Sequence, residues 1–118
     1  MEIKRIYPTN KKLTASEMYR AVKSNSAVGI SKCDIELIAI DYVVFYSDVE
    51  KKTGELREVV SIVTPQGETY TTNSPYFTET LNDMLTIFED AGEAVHSIKV
   101  LRQKAKSGRS FIDCDFAE

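Results

Sequence analysis

Tryptophan is absent from this chain, and cysteine and histidine are scarce. Cys33 and Cys114 lie far apart and neither belongs to a Cys-x-x-Cys pair, so a disulfide framework and a zinc site are unexpected and we predict two buried free thiols. No apolar run approaches the roughly 20 residues that span a bilayer, and residues 1–10 lack the apolar region of a signal peptide. These absences predict an intracellular, cytoplasmic protein without a membrane partner.

Catalytic motifs are missing as well. The sequence has no Gly-x-Ser-x-Gly, P-loop or His-Glu-x-x-His pattern. Its single histidine, His96, has no cysteine or carboxylate at a catalytic or metal-binding spacing. Asp113 and Asp115 alternate with apolar residues in a strand pattern, so we interpret them as part of a solvated face. We therefore expect a protein that is not an enzyme and needs neither a cofactor nor a metal ion.

Charge is distributed unevenly along the chain, although the formal net charge is only −3. Residues 98–110 contain five lysines and arginines and no carboxylate, whereas residues 78–93 contain five carboxylates and no lysine or arginine. A protein with one surface that faces phosphates shows this kind of polarity. The negative net charge therefore does not exclude a nucleic acid as partner.

Two helices are predicted from their caps. Thr14 and Glu17 form a capping box, which predicts a short helix from Ala15 to about Lys23. Ser74 followed by Pro75 is a strong helix start, and Gly92 is a typical helix end. Between them, apolar residues recur at helical spacing. They are Phe77, Leu81, Met84, Leu85 and Phe88.

Five strands are predicted after Ser31 from alternating apolar residues and β-branched runs. They cover residues 34–47, 55–64, 69–72, 95–104 and 109–116. Three strands, a helix and two strands is the connectivity of the OB-fold, in which the second and third strands and the first-to-second and fourth-to-fifth loops usually hold a nucleic acid strand. We therefore expect a mainly β protein of one domain, with an N-terminal helical extension (1–32) and a five-stranded OB-fold barrel (33–118) whose helix lies between strands three and four.

Aromatic rings that stack on bases and cations that follow phosphates hold single-stranded nucleic acid. Phe111 has the strand parity opposite to its apolar neighbours, and Tyr70 lies among threonines, so both rings are expected outside the core. The first strand is apolar on both faces, which leaves Tyr42 and Tyr46 as competing candidates. The full set of DNA-binding candidates is Tyr42, Tyr46, Arg57, Tyr70, Lys99, Arg102, Lys104, Lys106, Arg109 and Phe111.

Residues 34–116 resemble the small single-stranded DNA-binding proteins of tailed bacteriophages that infect Gram-positive bacteria, including those with protein-primed replication. The resemblance lies in the hairpin of residues 58–70, the helix around residues 81–88 and the segments 98–100 and 106–111. It implies that Tyr70 occupies an aromatic position used for stacking. It also implies that the Lys106-Ser107-Gly108 turn is the fourth-to-fifth loop.

The sequence thus predicts a protein that coats and protects single-stranded DNA during phage or mobile-element replication or recombination, largely without sequence preference. It would act in the host cytoplasm, with replication or recombination proteins as further partners and with oligomerisation left open. The alternative interpretation is a protein-interaction module on the same barrel, directed at a host protein. RNA fits the pattern as well as DNA, because no residue reports on the 2′-hydroxyl.

Overall fold

The structure is a computed structural model that describes residues 1–117, and its architecture is mainly β. Its strands are β1 (Glu2–Tyr7), β2 (Val28–Gly29), β3 (Leu37–Ala39), β4 (Tyr42–Val49), β5 (Leu56–Val63), β6 (Thr69–Thr72), β7 (Ser97–Lys104) and β8 (Ser110–Phe116). The helices are α1 (Ala15–Lys23) and α2 (Pro75–Asp90), with one 3₁₀ turn at Ile30–Lys32. The strands form a five-stranded sheet in the order β1-β4-β5-β6-β2 and a three-stranded sheet in the order β3-β7-β8.

The predicted first strand is present as two strands that belong to different sheets. β3 pairs antiparallel with β7, and β4 pairs antiparallel with β5. The change of sheet occurs between adjacent residues, because the Ile40 N–H donates to the His96 carbonyl (2.8 Å) and the Asp41 N–H donates to the Val63 carbonyl (2.9 Å). One continuous segment therefore joins the two sheets, which explains why it is apolar on both faces.

The expectation of a closed five-stranded barrel is wrong. Within residues 1–117, β8 pairs only with β7 and no ladder joins it to β6. Helix α2 packs along β8, where the Ser74 hydroxyl donates to the Ile112 carbonyl (3.5 Å) and the Cys114 thiol donates to the Phe77 carbonyl (3.8 Å). The helix thus lies beside the last strand, and the sheets remain open.

The N-terminal segment contains the predicted helix and also two strands that the sequence analysis did not predict. The capping box of α1 is present: the Glu17 N–H donates to Thr14 Oγ1 (3.2 Å), and the Thr14 N–H donates to Glu17 Oε1 (2.9 Å). β1 pairs with β4, and β2 pairs in parallel with β6. Residues 2–29 therefore supply both edges of the larger sheet. Within residues 1–117, neither helix is long and apolar enough to cross a bilayer.

Each face of the five-stranded sheet has its own apolar core. On one face, Val43, Val60 and Ile62 pack against the smaller sheet and the apolar stripe of α2, including Phe77 and Leu81. On the other face, α1 covers a smaller cluster. The buried members of that cluster are Ala21, Tyr42, Val44, Tyr46, Val59 and Val63. Alternation along β4 and β5 sends successive side chains into the two cores, so both strands read as continuous apolar runs.

Candidate nucleic-acid interface

A groove of about 890 Å³ opens where the β7–β8 hairpin passes the start of α2. We call it the hairpin groove. Residues 72–76, from the end of β6 to the first turn of α2, form one wall, and both arms of the hairpin form the other. Arg102, Lys104 and Arg109 line it, and no carboxylate is among the lining residues within the described part of the chain. The first turn of α2 also lacks acidic residues, so the acidic run of the sequence stays outside this groove.

Strand alternation places Arg102 and Lys104 in the groove. Ile98 and Val100 of β7 point into the main core, and Arg102 and Lys104 continue on the same face beyond the point where the core ends. The turn itself is held by backbone bonds, from the Ala105 N–H to the Arg109 carbonyl (2.8 Å) and from the Gly108 N–H to the Ala105 carbonyl (2.9 Å). Gly108 has a φ of +84°, a conformation that residues with a β-carbon rarely adopt.

Two aromatic rings meet at the wall of the hairpin groove. The Tyr76 and Phe111 ring centroids are 5.1 Å apart, with the planes inclined by 43°. Tyr76 is 62% exposed and Phe111 is half-buried. This separation lies in the range of favourable aromatic pairs. An exposed π-surface and three cations therefore line the same groove.

Residues 2–116 match the sequence model of a family of phage single-stranded DNA-binding proteins, the Phi29 type. The chain belongs to this family. It is a DNA-binding family, and the chain accordingly binds single-stranded DNA in phage replication. Neither a curated protein nor a solved structure matches the chain.

Four of the DNA-binding candidates from the sequence lie together in the hairpin groove of this family member: Arg102, Lys104, Arg109 and Phe111. Arg102 also has a structural role, because its Nη1 donates to the Ile30 carbonyl (3.2 Å) and its Nη2 to the Ile35 carbonyl (3.0 Å). It therefore anchors the segment before β3 to the hairpin. Within the described residues, Lys104 and Arg109 are thus the cations of this groove that have no such structural role.

The other three predicted cations lie elsewhere. Lys106 is exposed at the tip of the β7–β8 turn, next to the groove but outside its lining. Lys99 alternates with the core residues of β7, so it lies on the opposite face of the smaller sheet, in register with Asp115. Arg57, on β5, lines a different groove. Its Nη1 forms an ion pair with Glu50 (3.2 Å).

Tyr42 and Tyr46 contradict the expectation that a ring of the first strand is exposed for stacking. Their side chains are 1% and 7% exposed, and both lie under α1. The Tyr42 hydroxyl donates to the Glu17 carbonyl of that helix (2.8 Å), and burial raises the pKa of the phenol. The reason is tertiary: strand parity shows which face a ring occupies but not which distant segment covers that face.

Tyr70 occupies an intermediate position. It faces the main core opposite Ile62 and is half-buried there, and this burial raises the pKa of its phenol. Thr72, two residues later on the same face of β6, lines the hairpin groove. The ring of Tyr70 thus lies beside the hairpin groove, two residues away along β6, and does not line it.

Tyr76 is the aromatic residue of the groove that the sequence analysis missed. The signal was present, since Tyr76 lies at the second helical position and off the apolar stripe that begins with Phe77. Because Tyr76 lies near the helix start and outside the apolar stripe, its ring is expected to be exposed.

Proposed function

We propose that the hairpin groove is the surface on which this protein holds single-stranded DNA, and that many copies coat the strand largely without sequence preference. The observation that carries the proposal is the combination at one place of cations, no carboxylate among the described lining residues, and the exposed ring of Tyr76 against Phe111. Coating would shield the strand from nucleases and from refolding inside the host cell.

The two components of the groove would act on different parts of the DNA. Every base has a π-face, so stacking on Tyr76 and Phe111 would accept any base and would contribute about 1–3 kcal/mol per stacked base. Lys104 and Arg109, with Lys106 at the tip, would neutralise phosphates and make the affinity dependent on salt. The Tyr70 ring would extend the stacking surface along β6.

We also propose that the architecture is an open form of the OB type. The support is topological: the β3–β4 segment runs through both sheets, β4-β5-β6 forms a meander, and β7-β8 forms the last hairpin. In such a fold the hairpin groove corresponds to the side of the fourth-to-fifth loop. Helix α2 would then take the position where a closed barrel completes its sheet.

The test is a titration of an unstructured oligothymidylate with the Tyr76→Ala, Phe111→Ala and double variants. We expect the double variant to lose at least about fivefold in affinity, the equivalent of one weakly stacked base. Tyr19→Ala is the matched control, because Tyr19 is 63% exposed but lies on α1, away from the groove. Thermal unfolding of each variant separates lost binding from lost structure. Unchanged affinity in a folded double variant would overturn the proposal, as would equal affinity of the wild-type protein for duplex and single strand.

A further inference from the structure

A second groove, of about 860 Å³, lies on the other side of the start of α2. We call it the β1 groove. Asn73 and Pro75 line both grooves, so the two meet at the β6–α2 connection. Given the proposed function, we propose that the bound DNA strand leaves the hairpin groove, crosses this connection and continues into the β1 groove.

Arg57, on β5, and Thr78, on α2, both line the β1 groove. Arg57 Nε and Thr78 Oγ1 are buried and have no hydrogen-bond partner within residues 1–117. A guanidinium carries five N–H donors, and the one ion pair with Glu50 leaves most of them for a ligand. Phosphate oxygens and the acceptor atoms of bases would satisfy such donors, since charge-assisted hydrogen bonds to phosphate are among the strongest available.

Arg5 lines the same groove but is already engaged. Its guanidinium donates to Asn82 Oδ1 (2.9 Å), Thr86 Oγ1 (2.7 Å) and Glu89 Oε1 (2.7 Å), all on α2. It therefore ties β1 to α2 and builds the wall of the groove. Lys4 is paired with Glu2 (2.6 Å) and Arg57 with Glu50 (3.2 Å), but both pairs are partly exposed, so a phosphate could replace either carboxylate. Lys4 and Arg57 are therefore the cations of this groove that would meet the strand, and Leu56, which is 67% exposed, offers an apolar surface to a base.

The β1 groove differs in electrostatics from the hairpin groove, because Glu58 and Glu79 also line it. These carboxylates oppose phosphates near them, so phosphates would be contacted in this groove only at Arg57 and Lys4, by exchange with the carboxylates that pair with these two side chains. Each cation of this groove already has a carboxylate partner, so we expect the groove to add affinity only for strands long enough to have filled the hairpin groove. A dependence on oligonucleotide length is therefore the signature of the inference.

The experiment compares oligothymidylates of about 4 and about 12 nucleotides, which lie within the span of single-strand sites of one such domain. We expect Arg57→Gln to weaken binding of the long oligonucleotide by up to about fivefold, the scale of one exposed charge contact. The magnitude of its log–log salt slope should fall by about 0.7, the value for one phosphate contact. Binding of the short oligonucleotide should not change.

Glu50→Gln is the matched control, because it removes the same ion pair and keeps the arginine. We expect it to leave binding of the long oligonucleotide unchanged or tighter. Equal losses in Arg57→Gln and Glu50→Gln would mean that only the structure of the β4–β5 hairpin matters, and the inference would be wrong. It would also be wrong if Arg57→Gln weakened both lengths equally or neither. A folded Tyr76→Ala/Phe111→Ala variant with normal affinity for the short oligonucleotide would instead overturn the proposed function.

Discussion

The α1 side of the larger sheet and the end that carries the β7–β8 hairpin contain the same kinds of residue. On the α1 side, Lys11 Nζ lies 5.5 Å from the ring centroid of Tyr42. At the hairpin end, Tyr76 packs against Phe111 in a groove that Lys104 and Arg109 also line. The difference is the covering segment: α1 buries the first ring, and nothing in the described residues covers the exposed part of the second. Similar residues are therefore buried in one region, where they stabilise the fold, and exposed in the other, where we propose that they bind DNA.

The largest effect that separates the two regions should come from Tyr42→Ala. We expect it to lower the free energy of unfolding by about 3–5 kcal/mol, the usual cost of removing a buried aromatic side chain. The milder Tyr42→Phe variant loses only the hydroxyl bond to the Glu17 carbonyl, at about 1 kcal/mol. Chemical denaturation measures both values. Folded Tyr42→Phe should bind single-stranded DNA as the wild-type protein does, and weakened binding in this variant would show that the α1 side takes part.

A smaller effect should come from the cations of the hairpin groove. We expect Lys104→Gln with Arg109→Gln to reduce the magnitude of the log–log salt slope by about 1.4, because each phosphate contact on a single strand contributes about 0.7. Titrations at several salt concentrations give this slope. Lys99→Gln changes the charge of β7 on its opposite face, so it should leave the slope unaltered. If Lys99→Gln reduced the slope as much as a groove substitution, net charge rather than the groove would explain binding.

The smallest effect should be the loss of stability at low pH that comes from the capping box of α1. The backbone N–H of Thr14 and the charge of Lys11 hold the pKa of Glu17 below its ordinary value of 4.5. Because the folded pKa is the lower one, the capping carboxylate stabilises the protein above about pH 4.5, and that stabilisation is lost as the pH falls through the folded pKa. Glu17→Gln should therefore narrow the difference in Tm between pH 7 and pH 3. If the difference in Tm between pH 7 and pH 3 were the same in Glu17→Gln as in the wild-type protein, Glu17 would not contribute to acid destabilisation.

Local signals in the sequence predicted most elements correctly. The Thr14 capping box and the Ser74-Pro75 start gave both helices, and strand β6 has the predicted bounds. These features depend on neighbouring residues, whose chemistry is visible in a short window. The family was also predicted correctly from the resemblance.

Long-range packing decided what the sequence could not show. Strands β1 and β2 exist because β4 and β6 offer edges to pair with, and β2 has only two residues. Tyr42 is buried because a helix that begins more than 25 residues earlier folds over it, as its bond to Glu17 across 25 positions shows. The open sheet follows from the packing of α2 along β8, which depends on the meeting of two distant segments.

The backbone of the β7–β8 turn has a consequence for how phages could adjust such a protein. Main-chain atoms alone close the turn, and Gly108 supplies its left-handed residue. Positions 106 and 107 can therefore exchange side chains without rebuilding the hairpin. Under the proposed function, exchanging one residue at the tip would change the number of phosphate contacts and with it the salt dependence of binding.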